Sequence, residues 1–527
     1  MLNKKLISCT LMASMLISLC SCRMGSAETS TQPTTATSEV TEATTTITAE
    51  ETESSEPETS ATETSVQTGP VDGATLEDKL NKLERVRSIE KMDVLRDDKE
   101  GRTSMKEKYV VFFDLPLDWN DPDKGTFPLR TIFSFVDDNA TNTFLCDGYF
   151  IYDMDVSRFD FRRDLSWFYN TNEVQMEHRF YGESVPEGLS IDSLDYWEYL
   201  TDENAAEDFH FVITQFKRIL TGKCMFTGSS KGGQLTHMQS YFHPEDADVF
   251  VSYVAPGGSE QDAPDFFDYI YTEIGDSAYG ADKAKKYRDM VLQFQVEAIK
   301  NRDTLAQRYY DRGVKDGCVF TDFTTPDILY DMAVLEFATT TWQYFQEFKD
   351  VKNVLNNKGS KEPAHLDKIL DMLYETNPAS IWAHNSEYFA YYVQAATQNG
   401  EHEYDFSFLR KALDKDGSGA KLAVTEDMEK GLLFRMVFTP EQYEAFKFDP
   451  TIYNNMVKWS HETDSLVLMV YGQADVWYTV RLPDVTDNEN IHIFKLPHAS
   501  HMTSFERMDK DMADEVEKLL DPILKWE

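Results

Sequence analysis

The chain has 527 residues, 41% of them hydrophobic, enough for a large core in one or two globular units. Its formal net charge is −41, which argues against nucleic acid and against any anionic-surface partner. Of the six cysteines only Cys146, Cys224 and Cys318 belong to the folding part, so a disulfide framework is excluded, and no Cys/His group has zinc spacing, so no metal or other cofactor is expected.

The N-terminus reads as a leader. Lys4 and Lys5 precede the apolar run Leu6–Leu19, which is too short to remain a membrane span. Leu19-Cys20-Ser21-Cys22 reads as a lipoprotein cleavage box closing a 1–22 signal peptide, with Cys22 lipidated; ordinary cleavage near Ala27 is the other reading. Two acyl chains at Cys22 suffice for stable attachment, so the expected location is extracellular, anchored to the cell membrane. From about Ser26 to Thr68 the chain is Thr, Ser, Glu and Ala without Lys or Arg, and 23–75 is expected to be a disordered tether.

Ordered structure is expected from Leu76, with a first core segment over 76–257. Tyr109–Phe113 and Leu129–Phe135 flank a turn-rich connection and predict an antiparallel hairpin. Thr143–Phe150, Val174–Phe180, Lys223–Thr227 and Val249–Val254 follow as strands, with helices between most of them, including Asn204–Leu220. A hairpin followed by alternating strand and helix predicts a mostly parallel sheet with helices on both faces. Within this run, Gly228-Ser229-Ser230-Lys231-Gly232 stands between a strand and a helix over Lys231–Phe242. That is the context of a G-x-S-x-G turn, which pushes Ser230 out at the sheet top as a candidate nucleophile.

Residues 258–460 change character: Ala281–Arg312, Ile328–Lys349, His365–Glu375 and Ile381–Thr397 all read as helix, a large cap inserted after the sixth predicted strand. Aromatic residues such as Trp342, Tyr344, Trp382, Tyr388, Tyr391 and Tyr392 read as cap core or as pocket lining. The second core segment, 461–527, opens on the apolar strand Leu466–Tyr471. Asp475 stands three residues past Gly472, with Asp464, Asp484 and Asp487 as competitors for the acid, and Trp477 beside it is a candidate for substrate contact. The last strand, Ile491–Leu496, and the last helix, Ser504–Trp526, enclose His498 and His501; His501 is preferred as the base because it lies nearer the helix. A hydroxyl needs such a base to become nucleophilic, and the base needs an orienting carboxylate. The oxyanion would be met by the N–H of Lys231 and by that of Gly148 or Tyr149, with the Lys231 side chain read as solvated.

Glu177-His178-Arg179-Phe180-Tyr181-Gly182-Glu183-Ser184 resembles a block shared by prolyl carboxypeptidases and their bacterial relatives. Thr227–Gly233, Tyr253-Val254-Ala255-Pro256, Gly472-Gln473-Ala474-Asp475 and Ser500-His501 resemble the secreted bacterial tripeptidyl aminopeptidase family of serine peptidases more closely. The resemblance implies an α/β-hydrolase fold, the Ser230–Asp475–His501 triad, and removal of short peptides from free N-termini, with proline near the cut. Val476 stands where relatives usually carry proline beside the acid, and His498 and Ala499 stand where they carry glycines. Glu177, Arg179 and Glu183 then have two readings: a buried ion network that fixes their loop, or carboxylate and cation contacts to the substrate's terminus. Rival functions are a prolyl carboxypeptidase-like enzyme, an esterase, and a surface lipoprotein that binds peptides without catalysis.

Overall fold

The computed structural model describes residues 69–95, 104–345 and 348–526. The leader 1–22, its Cys22 and the tether up to residue 68 lie outside the described residues. Nine strands form one sheet: β1 (Val86–Met92), β2 (Glu107–Pro116), β3 (Thr126–Phe135), β4 (Asn142–Cys146), β5 (Asn172–Met176), β6 (Cys224–Ser229), β7 (Val249–Tyr253), β8 (Val467–Gly472) and β9 (Ile491–Leu496). Their spatial order is β1-β2-β3-β5-β4-β6-β7-β8-β9. β1, β2 and β3 pair antiparallel, β3 meets β5 antiparallel, and β5 to β9 run parallel.

Alternation along the parallel strands explains the layers. On one face Met225, Val249, Val251, Leu468 and Val470 pack with Val516, Leu520 and Leu524 of the last helix, Lys510–Leu524. On the other, Phe226 meets Phe250 and Phe209, the latter from the helix Asp202–Lys217. The helix Lys231–Phe242 joins that second face, where His237 Nε2 lies 2.7 Å from Ser252 Oγ of β7. Each fully buried aliphatic side chain of these layers contributes about 1.5–3 kcal/mol. The result is the mostly parallel sheet with helices on both faces that the strand and helix pattern predicts, and the α/β-hydrolase architecture that the resemblance implies.

Several boundaries differ from the sequence reading. β1 was not predicted: in Val-Arg-Ser-Ile-Glu-Lys-Met the four polar residues are all exposed, as suits a strand at a sheet edge. β4 ends at Cys146 rather than residue 150, because the chain turns at Gly148 with φ +77°. β5 ends at Met176, and the residues after it leave the ladder, His178 N donating to Tyr149 O at 3.0 Å. The last helix starts at Lys510, where the Asp509 side chain accepts from Met512 N. Between β7 and β8, helices from Phe266–Thr272 to Thr451–Glu462 make the insertion; the predicted single helix over 281–312 is broken at Lys300–Asn301 into Ala281–Ile299 and Arg302–Lys315.

Candidate active site

The chain passes from β4 outward to β5 and then back across to β6 on the other side of β4. Connections leaving the C-terminal ends of β4 and β6 therefore diverge and open a crevice there. Ser230 sits at this point, one residue past β6, with φ 58° and ψ −124° and its N–H donating to Tyr253 O at 2.9 Å. A non-glycine residue in this region is strained, and the neighbouring glycines let the surrounding chain close in on it. A Cβ on Gly228 would lie 2.3 Å from Gly232 O, and one on Gly232 would lie 2.3 Å from Cys146 O. The turn is thus packed main chain to main chain against the end of β4.

Asp475 and His501 follow the C-terminal ends of β8 and β9 on the same rim. His501 Nδ1 lies 2.8 Å from Asp475 Oδ2, with 5% and 2% of the two residues exposed. The acceptor is a carboxylate, so Nδ1 carries the hydrogen and Nε2 is left as the basic nitrogen. The Trp477 N–H donates to Asp475 Oδ1 at 3.2 Å and fixes the carboxylate from the other side. The competitors are placed elsewhere: His498 is exposed, Asp484 is tied to Arg481 and Lys495, and Asp487 to His461. The Tyr344 ring, from the helical insertion, stands edge-on to His501 at 6.0 Å.

The loop after β4 supplies the remaining polar groups. Gly148 approaches the start of the Lys231–Phe242 helix so closely that a Cβ on it would be 2.5 Å from Gly232 N. The Lys231 side chain, expected in solvent, is 1% exposed; its Nζ donates to Gly148 O at 2.9 Å and lies over the Tyr149 and Tyr181 rings. Burial pulls the Lys231 ammonium below its ordinary pKa, while the Asp202 carboxylate opposes that shift. The Lys231 and Tyr149 N–H groups have no protein acceptor among the described residues, as a first-turn helix donor and an open-loop donor should not.

Glu177 and Arg179 correct the substrate reading. Glu177 is fully buried and accepts from Arg130 Nη2, Ile151 N, Glu183 N and Ser184 Oγ. Arg179 is fully buried too; it forms a fork on Asp208 at 2.6 and 2.8 Å and donates to Leu117 O and Tyr199 O. Both are spent on holding the loop between β5 and the helix Asp202–Lys217, and no polar atom of Glu177 is left for a ligand. The Glu183 side chain is exposed, and only its N–H takes part.

A narrow pocket is lined by Ser230, Tyr149 and Trp477 together with Tyr391 and Glu401 from the insertion. Glu401 had no signal in the sequence, because the insertion reaches the rim only through long-range packing. Its carboxylate accepts from Tyr391 OH at 2.6 Å and pairs with His402 Nδ1 at 2.6 Å. Burial opposes ionisation of His402, but Glu401 and Glu336 raise its pKa to about 9. The pocket wall is closed by two abutting main chains. A Cβ on Gly258 would lie 2.0 Å from Asn399 O, and one on Gly400 2.4 Å from Glu260 O. Ala263 N donates to Glu401 O at 2.7 Å and Glu403 N to Ala263 O at 3.0 Å.

Away from the rim, His210, His243 and Glu245 bring metal-type ligand atoms together. The two imidazoles stack at 4.0 Å and 13°, so their lone pairs lie in near-parallel planes and do not converge on an ion. Each ring already faces a carboxylate, Asp246 at 2.8 Å and Glu207 at 3.1 Å.

Comparison with known proteins agrees with this chemistry. The sequence matches the family described as PS-10 peptidase S37 over residues 77–521. A prolyl tri/tetrapeptidyl aminopeptidase from Streptomyces mobaraensis is 26% identical over 421 residues, 79% of this chain and 79% of that one. Solved structures that are similar include a proline iminopeptidase from Mycobacterium smegmatis, with TM-score 0.32, 11% identity, and coverage of 82% of this chain and 98% of that one. A rice cell wall degrading esterase from Xanthomonas oryzae has TM-score 0.36 and 11% identity, covering 83% and 98%. The chain belongs to the PS-10 peptidase S37 family and is a serine peptidase.

Proposed function

We propose that this peptidase releases tripeptides or similar short units from free peptide N-termini, with proline near the cut, by acyl transfer through Ser230, His501 and Asp475. The observation that carries the chemistry is the buried 2.8 Å pair of His501 and Asp475 on the rim where Ser230 emerges from its strained turn. Ser230 Oγ attacks the scissile carbonyl as His501 Nε2 takes its proton. The same proton then passes to the leaving amine, and water repeats the sequence to free the acyl group. Asp475 holds the imidazole in the required tautomer and stabilises its cation. The Lys231 and Tyr149 N–H groups would receive the oxyanion, each such donor lowering the barrier by about 3 kcal/mol.

The direction of cutting rests on charge. Glu401 is the one acidic side chain among the described lining residues of the Ser230 pocket, and the one basic side chain there, Lys231, is turned onto Gly148 O. A substrate ammonium would add to the Tyr391 and His402 contacts of that carboxylate, whereas a substrate carboxylate meets no basic lining side chain turned toward it. The relative from Streptomyces mobaraensis, named for prolyl tri/tetrapeptidyl aminopeptidase activity, points the same way. Export and anchoring through a lipidated Cys22 belong to this proposal and rest on the leader pattern alone.

The test is Ser230→Ala in a panel of fluorogenic peptides, with fluorophosphonate labelling. Loss of both turnover and labelling is expected. Acetylating the substrate amine should abolish cleavage, and amidating its carboxyl should leave it intact; the reverse pattern would make the enzyme a C-terminal exopeptidase. A wild-type protein that takes up no probe would be a peptide binder.

A further inference from the structure

Lys231 has two polar groups near the nucleophile, and the reaction above uses only its main-chain N–H. Its side chain is buried, crosses the Tyr149 and Tyr181 rings at 5.8 and 5.5 Å, and ends 2.9 Å from Gly148 O. The Gly148 carbonyl and the Tyr149 N–H belong to one peptide unit. That unit is trans, as no cis bond occurs among the described residues, and in a planar trans peptide the C=O and N–H point in opposite directions. A donor that captures the carbonyl therefore sets the heading of the N–H. The far side of Tyr149 is pinned as well, its own carbonyl accepting from His178 N at 3.0 Å. Gly148, at φ +77°, has no side chain to resist rotation of this peptide. Without Lys231 the plane would be held on one side only.

We propose that the Lys231 side chain is a positioning residue: by holding the Gly148 carbonyl it aims the Tyr149 N–H at the oxyanion formed on Ser230. One residue would then supply one oxyanion donor through its backbone and orient the other through its ammonium. This rests on the serine acyl-transfer reading given above.

The experiment uses the full chain with Lys231→Met, and Lys231→Met/Asp202→Asn so that no buried carboxylate is left facing a lost cation. Three quantities are measured: kcat and KM on a free-amine peptide anilide, inhibition by a peptide aldehyde that forms a tetrahedral adduct with the serine, and inhibition by the product peptide. Complete loss of an oxyanion donor lowers kcat by about 10²–10³-fold, so a misaimed one is expected to lower it about 10–100-fold. Aldehyde affinity should weaken by the same factor, with product affinity unchanged. An unchanged kcat in a folded variant, or a loss shared equally by the product, overturns the proposal. Should neither variant fold, a crystal structure of the wild-type aldehyde adduct decides. Its oxyanion should lie about 3 Å from both Tyr149 N and Lys231 N, and a Tyr149 N–H turned elsewhere overturns the proposal. Wild-type protein that resists fluorophosphonate removes the acyl-transfer reading and this inference together; a labelled wild type with an unaffected Lys231→Met removes this inference alone.

Discussion

His501 Nδ1 and Asp475 Oδ2 meet at 2.8 Å in a site that leaves almost none of either residue open to solvent. The carboxylate decides which ring nitrogen holds the hydrogen. Asp475→Asn keeps the shape but replaces the acceptor by an amide that can present its NH₂, favouring the wrong tautomer. We expect kcat to fall about 10³–10⁴-fold, about 4–5.5 kcal/mol of barrier, with KM little changed. Steady-state kinetics check it; a fall below about tenfold would remove Asp475 from the reaction.

Gly232→Ala is expected to damage catalysis without touching a reacting group. The new Cβ would stand 2.3 Å from Cys146 O, so the end of β4 must move, and the loop carrying Gly148 and Tyr149 moves with it. Overpacking of this kind costs about 1–3 kcal/mol of stability. A displacement of about 1 Å at the oxyanion donors costs about 10²-fold in kcat. Thermal unfolding and kinetics on the same sample separate the two effects.

Glu401→Gln removes the lining carboxylate and keeps its shape. A charge-assisted hydrogen bond to a ligand ammonium contributes about 1.5–3 kcal/mol, so kcat/KM on free-amine peptides should drop about 10–100-fold. Amidation of the substrate carboxyl should make no difference in either protein. Equal activity of wild type and variant would move amine recognition to another group.

Arg179 is expected to matter for folding and not for substrate. Arg179→Met leaves Asp208 buried without its fork, which costs about 3–5 kcal/mol. Measured well below the lowered midpoint, KM should stay within about twofold of wild type. A large KM change in a folded variant would return Arg179 to the pocket.

Glu173 gives a pH signature. Its side chain is buried in β5 beside the Arg163 N–H, and burial raises its carboxyl pKa from 4.5 to about 7. Between those values the folded state keeps a proton that the unfolded chain has released, so stability falls as pH rises through that window. Glu173→Gln mimics the protonated form. It should match wild type near pH 4.5 and exceed it at pH 8 by on the order of 2–3 kcal/mol. Urea melts at the two pH values test the difference; a gap between variant and wild type that is the same at both would mean that Glu173 titrates normally.

The legible part of this protein is the part built from neighbours in sequence. Strand, turn and helix around Ser230 are contiguous, and Asp475 and His501 each follow a recognisable strand by a few residues, so their placing on one rim follows from the parallel sheet. β1 escaped because an edge strand has no apolar face to announce it. The burial of Lys231 escaped for the opposite reason, and that of Glu177 and Arg179 stood only as one of two open readings: a charged residue declares its place once its partners are known, and those partners, Gly148 O, Arg130 and Asp208, lie 29 to 83 positions away. Glu401 was invisible for the same reason, since it belongs to a helical insertion whose meeting with Gly258 and Ala263 no local pattern encodes.

Where Gly258 and Gly400 abut, the boundary of the pocket has no side chains that could swing aside. Such a surface discriminates by refusal: a ligand one atom too wide is turned away, because nothing there has a rotamer to exchange. Adaptability must then reside in the parts of the border that carry rings, Tyr391 and Trp477, and it is toward them that chemical libraries should be varied.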